Sequence, residues 1–292
     1  MLIQIIVNGL TQGCIYALIA LGYSMVYGSL RFINFAHGDV YMWGACFALI
    51  FARIGNIPFI AALFLTMLCT GTVGVALEFL AYRRLRNVPR VVVTASALGA
   101  SIVLSNLARV LVGAETYAVP AFFETKYYNI GNVVINSMQF ALLGCSLALM
   151  LILNWFITST KYGRAIRATS ENMDVTSLMG VNTNRVVSIT FFVGSALAGA
   201  AGMLVAIYYD AVYSTMGYMA GMKAFTSAIL GGIGSIPGAM LGSLLLGQIE
   251  SFGTTYISSS MGPAISFATL IIVLLFRPTG FFGGKDASAN RV

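Results

Sequence analysis

Charged side chains are scarce in this sequence. Asp, Glu, Lys and Arg make up 9% of its 292 residues, against about 25% in soluble globular proteins. So few charges cannot clothe a water-facing surface. Histidine occurs once, at His37, and the four cysteines (Cys14, Cys46, Cys69 and Cys145) fall singly inside apolar runs. That argues against a zinc centre, which needs clustered ligands at short spacings, and against a disulfide framework. No G-x-S-x-G elbow occurs. Lysine is missing where a nucleotide loop needs it. "GGIGSIPGA" has none, and in "GFFGGKDA" Lys285 is followed by Asp286 instead of the Ser or Thr that would hold magnesium. His37 and Asp39 are ionisable, but no ladder of mid-span carboxylates exists to relay protons across a membrane. The first residues, "MLIQIIVNGL", lack a basic n-region and their apolar run continues to about Tyr27. This reads as a retained span instead of a cleaved signal peptide.

What is present is apolar: 59% of the residues are hydrophobic. The runs are roughly 4–27, 38–53, 57–80, 91–112, 139–158, 187–209, 221–249 and 263–276. Their pattern is continuous, not alternating, which favours membrane-crossing helices over a barrel. The expectation is an all-α, polytopic helical membrane protein in contact with lipid, one domain over 1–292 with about eight hydrophobic segments. The net charge of +7 reads as positive-inside loops, not as a nucleic-acid surface. "YRRLRNVPR" (82–90), the 159–186 connector and the tail after Arg277 are basic and belong inside. The segments 113–138 and 210–220 belong outside.

Two apolar stretches are punctuated. Run 221–249 carries Gly231, Gly232, Gly234, Ser235, Pro237 and Gly238, poor helix formers in mid-run. If it crossed as one helix, the basic tail would end outside. The conflict disappears if the chain turns at "GGIGSIPG" and returns, which predicts non-helical backbone over 231–238 within membrane depth, covered by protein. A second interruption near 28–39 carries Arg31, Asn34, His37, Gly38 and Asp39. Paired interruptions in two halves of a chain point to a central pathway. Gly9, Gly13 and Ala17, Ser195 and Gly199, and Gly238 and Gly242 form small-residue faces suited to close helix packing. Within 159–186, "GRAIRATSENMDVTSLMGVNTNRV" reads as a short helix. Ser170 or Asn172 caps it, Glu171 and Asp174 stand in its first turn, and Gly180 stops it.

"NFAHGDVYMWGA", "GRAIRATSENMDVTSLMGVNTNRV", "MKAFTSAILGGIGSIPGAMLGSLLLG" and "PTGFFG" together resemble the H-type permease of branched-chain amino-acid ATP-binding cassette importers. The likeness covers essentially the whole chain. It implies a bacterial inner-membrane subunit working beside a second, M-type permease, two cytoplasmic ATPases that carry the ATP and Mg, and a periplasmic binding protein. No cofactor is expected on this chain itself. By that resemblance Gly163, Arg164, Arg167, Glu171, Met173, Asp174, Leu178, Met179 and Gly180 form the ATPase-coupling region. Asn34, His37, Gly38, Asp39 and the 231–238 turn line or gate the path. Tyr117, Phe122, Phe123, Tyr127 and Tyr128 either dock the binding protein or form an interfacial aromatic belt. Related permeases carry urea and amides, so another small polar solute is an alternative cargo. An ion-gradient-driven secondary transporter, and a membrane scaffold or channel with no coupled transport, are the alternative classes.

Overall fold

The computed structural model describes residues 1–55, 57–85, 88–120, 122–124, 126–130 and 133–282. Among these run eleven α-helices: α1 (Leu2–Leu30), α2 (His37–Ile54), α3 (Phe59–Leu77), α4 (Arg90–Leu111), α5 (Ser137–Ser159), α6 (Lys161–Glu171), α7 (Met173–Leu178), α8 (Thr183–Tyr209), α9 (Met216–Gly231), α10 (Ile236–Tyr256) and α11 (Gly262–Phe276). One short antiparallel hairpin, β1 (Tyr127–Ile130) and β2 (Val133–Asn136), pairs Tyr127 with Asn136. The sequence did not suggest this hairpin. Each of the eight apolar runs becomes a helix except 221–249, which becomes the pair α9 and α10, bent by 118° at their junction. Six helices are long and apolar enough to cross a membrane, or seven if the bent pair is one span.

Local chemistry sets the helix boundaries. Asn136 Oδ1 accepts from Gln139 N at 2.6 Å to start α5, and Asn182 Oδ1 from Arg185 N at 3.1 Å to start α8. Pro58 and Pro89 precede α3 and α4, where a missing N–H costs nothing. Past its last α-helical turn α3 continues as a π turn over Glu78–Tyr82. This bulge carries Glu78, which is fully buried and paired with Arg83 at 3.1 Å and Ser188 at 2.9 Å.

α1 and α8 form the buried centre, whereas α4, α5 and α11 are bare over most of their length, as a lipid-facing rim requires. α10 lies antiparallel along the whole of α1. Ser251 Oγ donates to Ile5 O at 2.8 Å near one end, Gly13 packs on Leu244 midway, and Gly28 meets Gly234 at the other end. α3 runs antiparallel to α8, with Thr66 beside Met203 and Gly74 beside Ser195. The small-residue faces expected at Gly9–Gly13, Ser195–Gly199 and Gly238–Gly242 are therefore contact faces.

The loops sort by charge. Arg31, Arg83, α6, α7 and the tail to Phe282 gather at one end, linked by Arg31 Nη2 to Ser170 O at 3.3 Å and by Phe281 N to Leu230 O at 2.9 Å. We call this the basic end. At the other end Tyr117 and Val212 pair through both backbone bonds at 2.9 Å. Gln4 binds Val134 there, placing the first residues of α1 at that end too.

Candidate functional site

α2 does not start where α1 ends. Residues 31–36 turn back into the bundle from the basic end, beginning at Arg31, whose φ of 55° is left-handed. α2 then begins at His37, whose ring sits against Gly22 and edge-on to Tyr23 with centroids 4.7 Å apart. Gly22 lies eight residues before the end of α1, about 12 Å inside it. α9 likewise starts inside the bundle. Its first turn meets the first turn of α2 where Gly217 crosses Gly38. A Cβ on Gly38 would overlap the Gly217 carbonyl and lie 3.0 Å from the Gly221 Cα. Only glycine permits two backbones to touch in this way. Neither helix start carries a side-chain cap, and each helix N-terminus presents a partial positive charge. From this crossing α2 runs to the far end and α9 to the basic end.

The surrounding polar groups are buried. Asn34 Oδ1 accepts from the hydroxyl of Tyr82 at 2.6 Å. Asp39 is buried in the first turn of α2 beside Ser101 of α4. Phe225 of α9 packs on Tyr23 at 5.9 Å and on Phe35 at 6.3 Å. Asn34, His37, Gly38 and Asp39 thus form one group within the bundle.

The glycine turn belongs to a second group. The break is real but narrower than the expected 231–238. Gly231 ends α9, and Ile236, Pro237 and Gly238 already belong to α10. Ser235 Oγ accepts from Gly238 N at 3.2 Å and so starts the helix early, with Pro237 in its first turn. Gly232 and Gly234, at φ 101° and 93°, make the reversal. The turn also sits at the level of Gly28 and the tail, at the basic end and not midway along the bundle. The charge-parity argument holds, because the chain does come in, turn and return. Its assumption that the turn stays at depth does not hold, since the turn meets Gly28 while α10 reaches Ile5 at the other end of α1. Consequently the inner part of the 28–39 interruption, at Gly38, faces the start of α9, and only its edge, at Gly28, meets the 231–238 turn.

The connector at 159–186 holds two helices, not one. Asn172 breaks it and caps α7, its Oδ1 accepting from Asp174 N and Val175 N, both at 3.0 Å. Ser170 is no cap, since its hydroxyl donates to Arg167 O at 2.7 Å. Glu171 consequently ends α6 while Asp174 stands in the first turn of α7. Thr160 caps α6, and Gly163 presses on the carbonyls of Phe156 and Ile157. Arg167 donates to Ile157 O. Gly180, at φ 82°, follows α7 as expected of a helix stop. Arg164, Glu171 and Asp174 are exposed and Met173 half-buried. Leu178 and Met179 are 85% and 78% exposed at the tip.

The outer aromatics divide. Phe122 and Phe123 are half-buried against Phe59, with centroids at 6.3 and 5.5 Å. Tyr117 is half-buried under Arg53. Tyr127 and Tyr128 on β1 are exposed.

A family model described as "Branched-chain amino acid transport system / permease component" matches residues 5–274. The chain belongs to this permease family. It is 42% identical to the high-affinity branched-chain amino acid transport system permease protein BraD of Pseudomonas aeruginosa, over 97% of this chain and 96% of that one. It is 41% identical to the corresponding permease protein LivH of Escherichia coli K12, with the same coverage. A chain of the solved PsaBC from Streptococcus pneumoniae, in complex with Fab, superposes with TM-score 0.50 at 11% identity. The superposition covers 97% of this chain and 94% of that one, and is a likeness of fold alone. This permease is a multi-pass membrane protein and a transport subunit, not an enzyme.

Sequence reasoning missed one polar cluster in the permease. Lys223 of α9 and Glu250 of α10 form an ion pair at 2.5 Å, joined by Tyr16 of α1 and Ser266 of α11. The available signal was a lysine and a glutamate on either side of the Gly/Pro break. Along one straight helix their separation of 27 residues would be about 40 Å. Only the hairpin brings them together.

Proposed function

We propose that this chain is a membrane-spanning subunit of an ATP-binding cassette importer that moves leucine, isoleucine and valine across the bacterial inner membrane by alternating access. It works beside an M-type permease, two cytoplasmic ATPases that bind the ATP and Mg, and a periplasmic binding protein. The basic end is the cytoplasmic end. The observation that carries this reading is the pairing of two features on one chain. Half-helices α2 and α9 meet inside the bundle, and Arg31, at the start of the segment leading into that meeting, is tied to Ser170 of α6. Interrupted helices are where transporters build cargo paths, and α6–α7 presents Leu178 and Met179 as apolar knobs for an ATPase groove.

In this reading ATP binding closes the ATPases, α6–α7 shifts, and Arg31 passes the movement to residues 31–36. Asn34, His37 and Asp39 then change their exposure to the path. Family membership with close relatives named for branched-chain amino acids supports the cargo. Tyr127 and Tyr128, bare at the far end, suit the binding protein. The test is reconstitution in liposomes with the subunits that co-purify. Leucine uptake that requires ATP and the ATPases is expected. Uptake by this chain alone under an ion gradient would refute the assignment.

A further inference from the structure

The transport reading leaves one buried charge cluster unused. The Glu250 side chain, 5% exposed, receives donors from three other helices: Lys223 Nζ at 2.5 Å, the Tyr16 hydroxyl at 2.9 Å and Ser266 Oγ at 2.9 Å. Lys223 Nζ also lies 3.3 Å from the Tyr16 hydroxyl. Tyr16 is the middle residue of α1, so the cluster lies deep in the apolar zone. Charges are costly there and such residues generally carry function. A purely structural contact is as well made by apolar side chains.

The attachment of α9 is uneven. At one end it hangs from the Gly232–Gly234 turn, whose positive φ angles mark a glycine hinge. At the other, Gly217 rests on Gly38, backbone on backbone, beside the buried Met216. Among the described residues, the side-chain hydrogen bonds shown from α9 to other helices are those of Lys223 and the 2.8 Å bond between Ser227 and Ser243. Near the turn α9 is held on α10 by Gly242 against Gly231 and Ser227, and by the tail through Phe281 N to Leu230 O, while α10 is bound along α1 by Gln248 to Ile6 O, Ser251 to Ile5 O and the close packing of Gly247 on Gly13. α1 and α10 are therefore a frame, and α9 is a leaf hinged on it. The hinge adjoins Gly28, which also neighbours Ser170 of α6.

We propose that Lys223 and Glu250 form a charge latch that holds α9 against α10, and that α9 swings about the Gly232–Gly234 turn when this latch opens during transport. They are positioning residues, acting on the path through α9 without touching cargo. The inference rests on the transport reading above. Ser266 and Tyr16 both donate to Glu250 Oε2 and so keep that oxygen hydrogen-bonded while Lys223 is away from Oε1.

The test uses the reconstituted full complex, with the four native cysteines replaced by alanine as parent and S227C/S243C added. The two hydroxyls are 2.8 Å apart, so a disulfide fits with little backbone movement. Oxidation is expected to cut ATP-driven leucine uptake by about tenfold or more and reduction to restore it, with the ATPases still bound. Uptake within about twofold in the two states would overturn the latch. Lys223→Met and Glu250→Gln are expected to hydrolyse ATP with little uptake, and the reversed pair K223E/E250K to recover coupling. A reversed pair no better than the single variants, though assembled with its ATPases, would also overturn it. A parent that takes up no leucine with ATP would overturn the transport reading and the latch with it.

Discussion

Replacing Leu178 and Met179 together by serine probes the coupling segment without disturbing the fold. The two side chains are 85% and 78% exposed, and neither contributes to the packed core. α7, which Leu178 ends and Met179 follows, is started by the Asn172 cap, not by them. Full burial of a Leu or Met side chain is worth roughly 1.5–3 kcal/mol. Association returns only part of that after ordering costs, so the lower figure for each gives about 3 kcal/mol for the pair. That corresponds to roughly a hundredfold loss of ATPase affinity. The assay is titration of the ATPase subunit onto the detergent-solubilised permease pair, with thermal unfolding recorded alongside. The unfolding midpoint should not move while affinity falls. An affinity within about threefold of the parent would refute the groove-filling role, since even one half-buried side chain should exceed that.

Four further outcomes follow from the geometry. Gly217→Ala should destabilise the protein by about 1–3 kcal/mol, because its Cβ would lie 2.5 Å from the Gly38 carbonyl oxygen and 2.9 Å from that carbon. Gly99→Ala, with open space around it, should cost nothing, and unfolding midpoints compare the two. Arg31→Ala should leave ATP hydrolysis intact and lower leucine moved per ATP. Undiminished stoichiometry would remove Arg31 from the coupling route. Ser235→Ala should cost about 1 kcal/mol through loss of the α10 cap, seen as a lower unfolding midpoint. Tyr127→Ser with Tyr128→Ser should weaken binding-protein association in a pull-down while leaving ATPase affinity unchanged.

The eight apolar runs were legible because membrane-crossing helices need only length and low charge, which a linear sequence displays directly. Asn172 as a cap and Gly180 as a stop were legible because caps act within four residues. The reading of 159–186 as one helix failed for the same local reason. With both Ser170 and Asn172 able to cap, only the structure decides which carbonyl and amide each finds. The β-hairpin went unseen because "YYNI" and "VVIN" are four residues each, too short to show alternation.

The position of the glycine turn was the harder problem, and it governs the site. Charge parity counts crossings and is blind to depth. It required that the chain return, and left open whether the return begins midway or at the far face. What decides is the length of the outgoing arm. α10 has 21 residues, about 31 Å, and with the turn before it accompanies α1 from Gly28 to Ile5. The turn must then lie at the basic end, and the mid-bundle interruption shifts to the other end of α9, at Met216 and Gly217. No glycine-proline cluster marks that place. It is marked by pairs of glycines distant in sequence, Gly38 with Gly217 and Gly22 with Gly194, whose meaning exists only once the backbones meet. The same folding-back sets Lys223 level with Glu250. Residues that read as the edges of one apolar run become the centre of the bundle, and with them the charges most able to control how α9 moves.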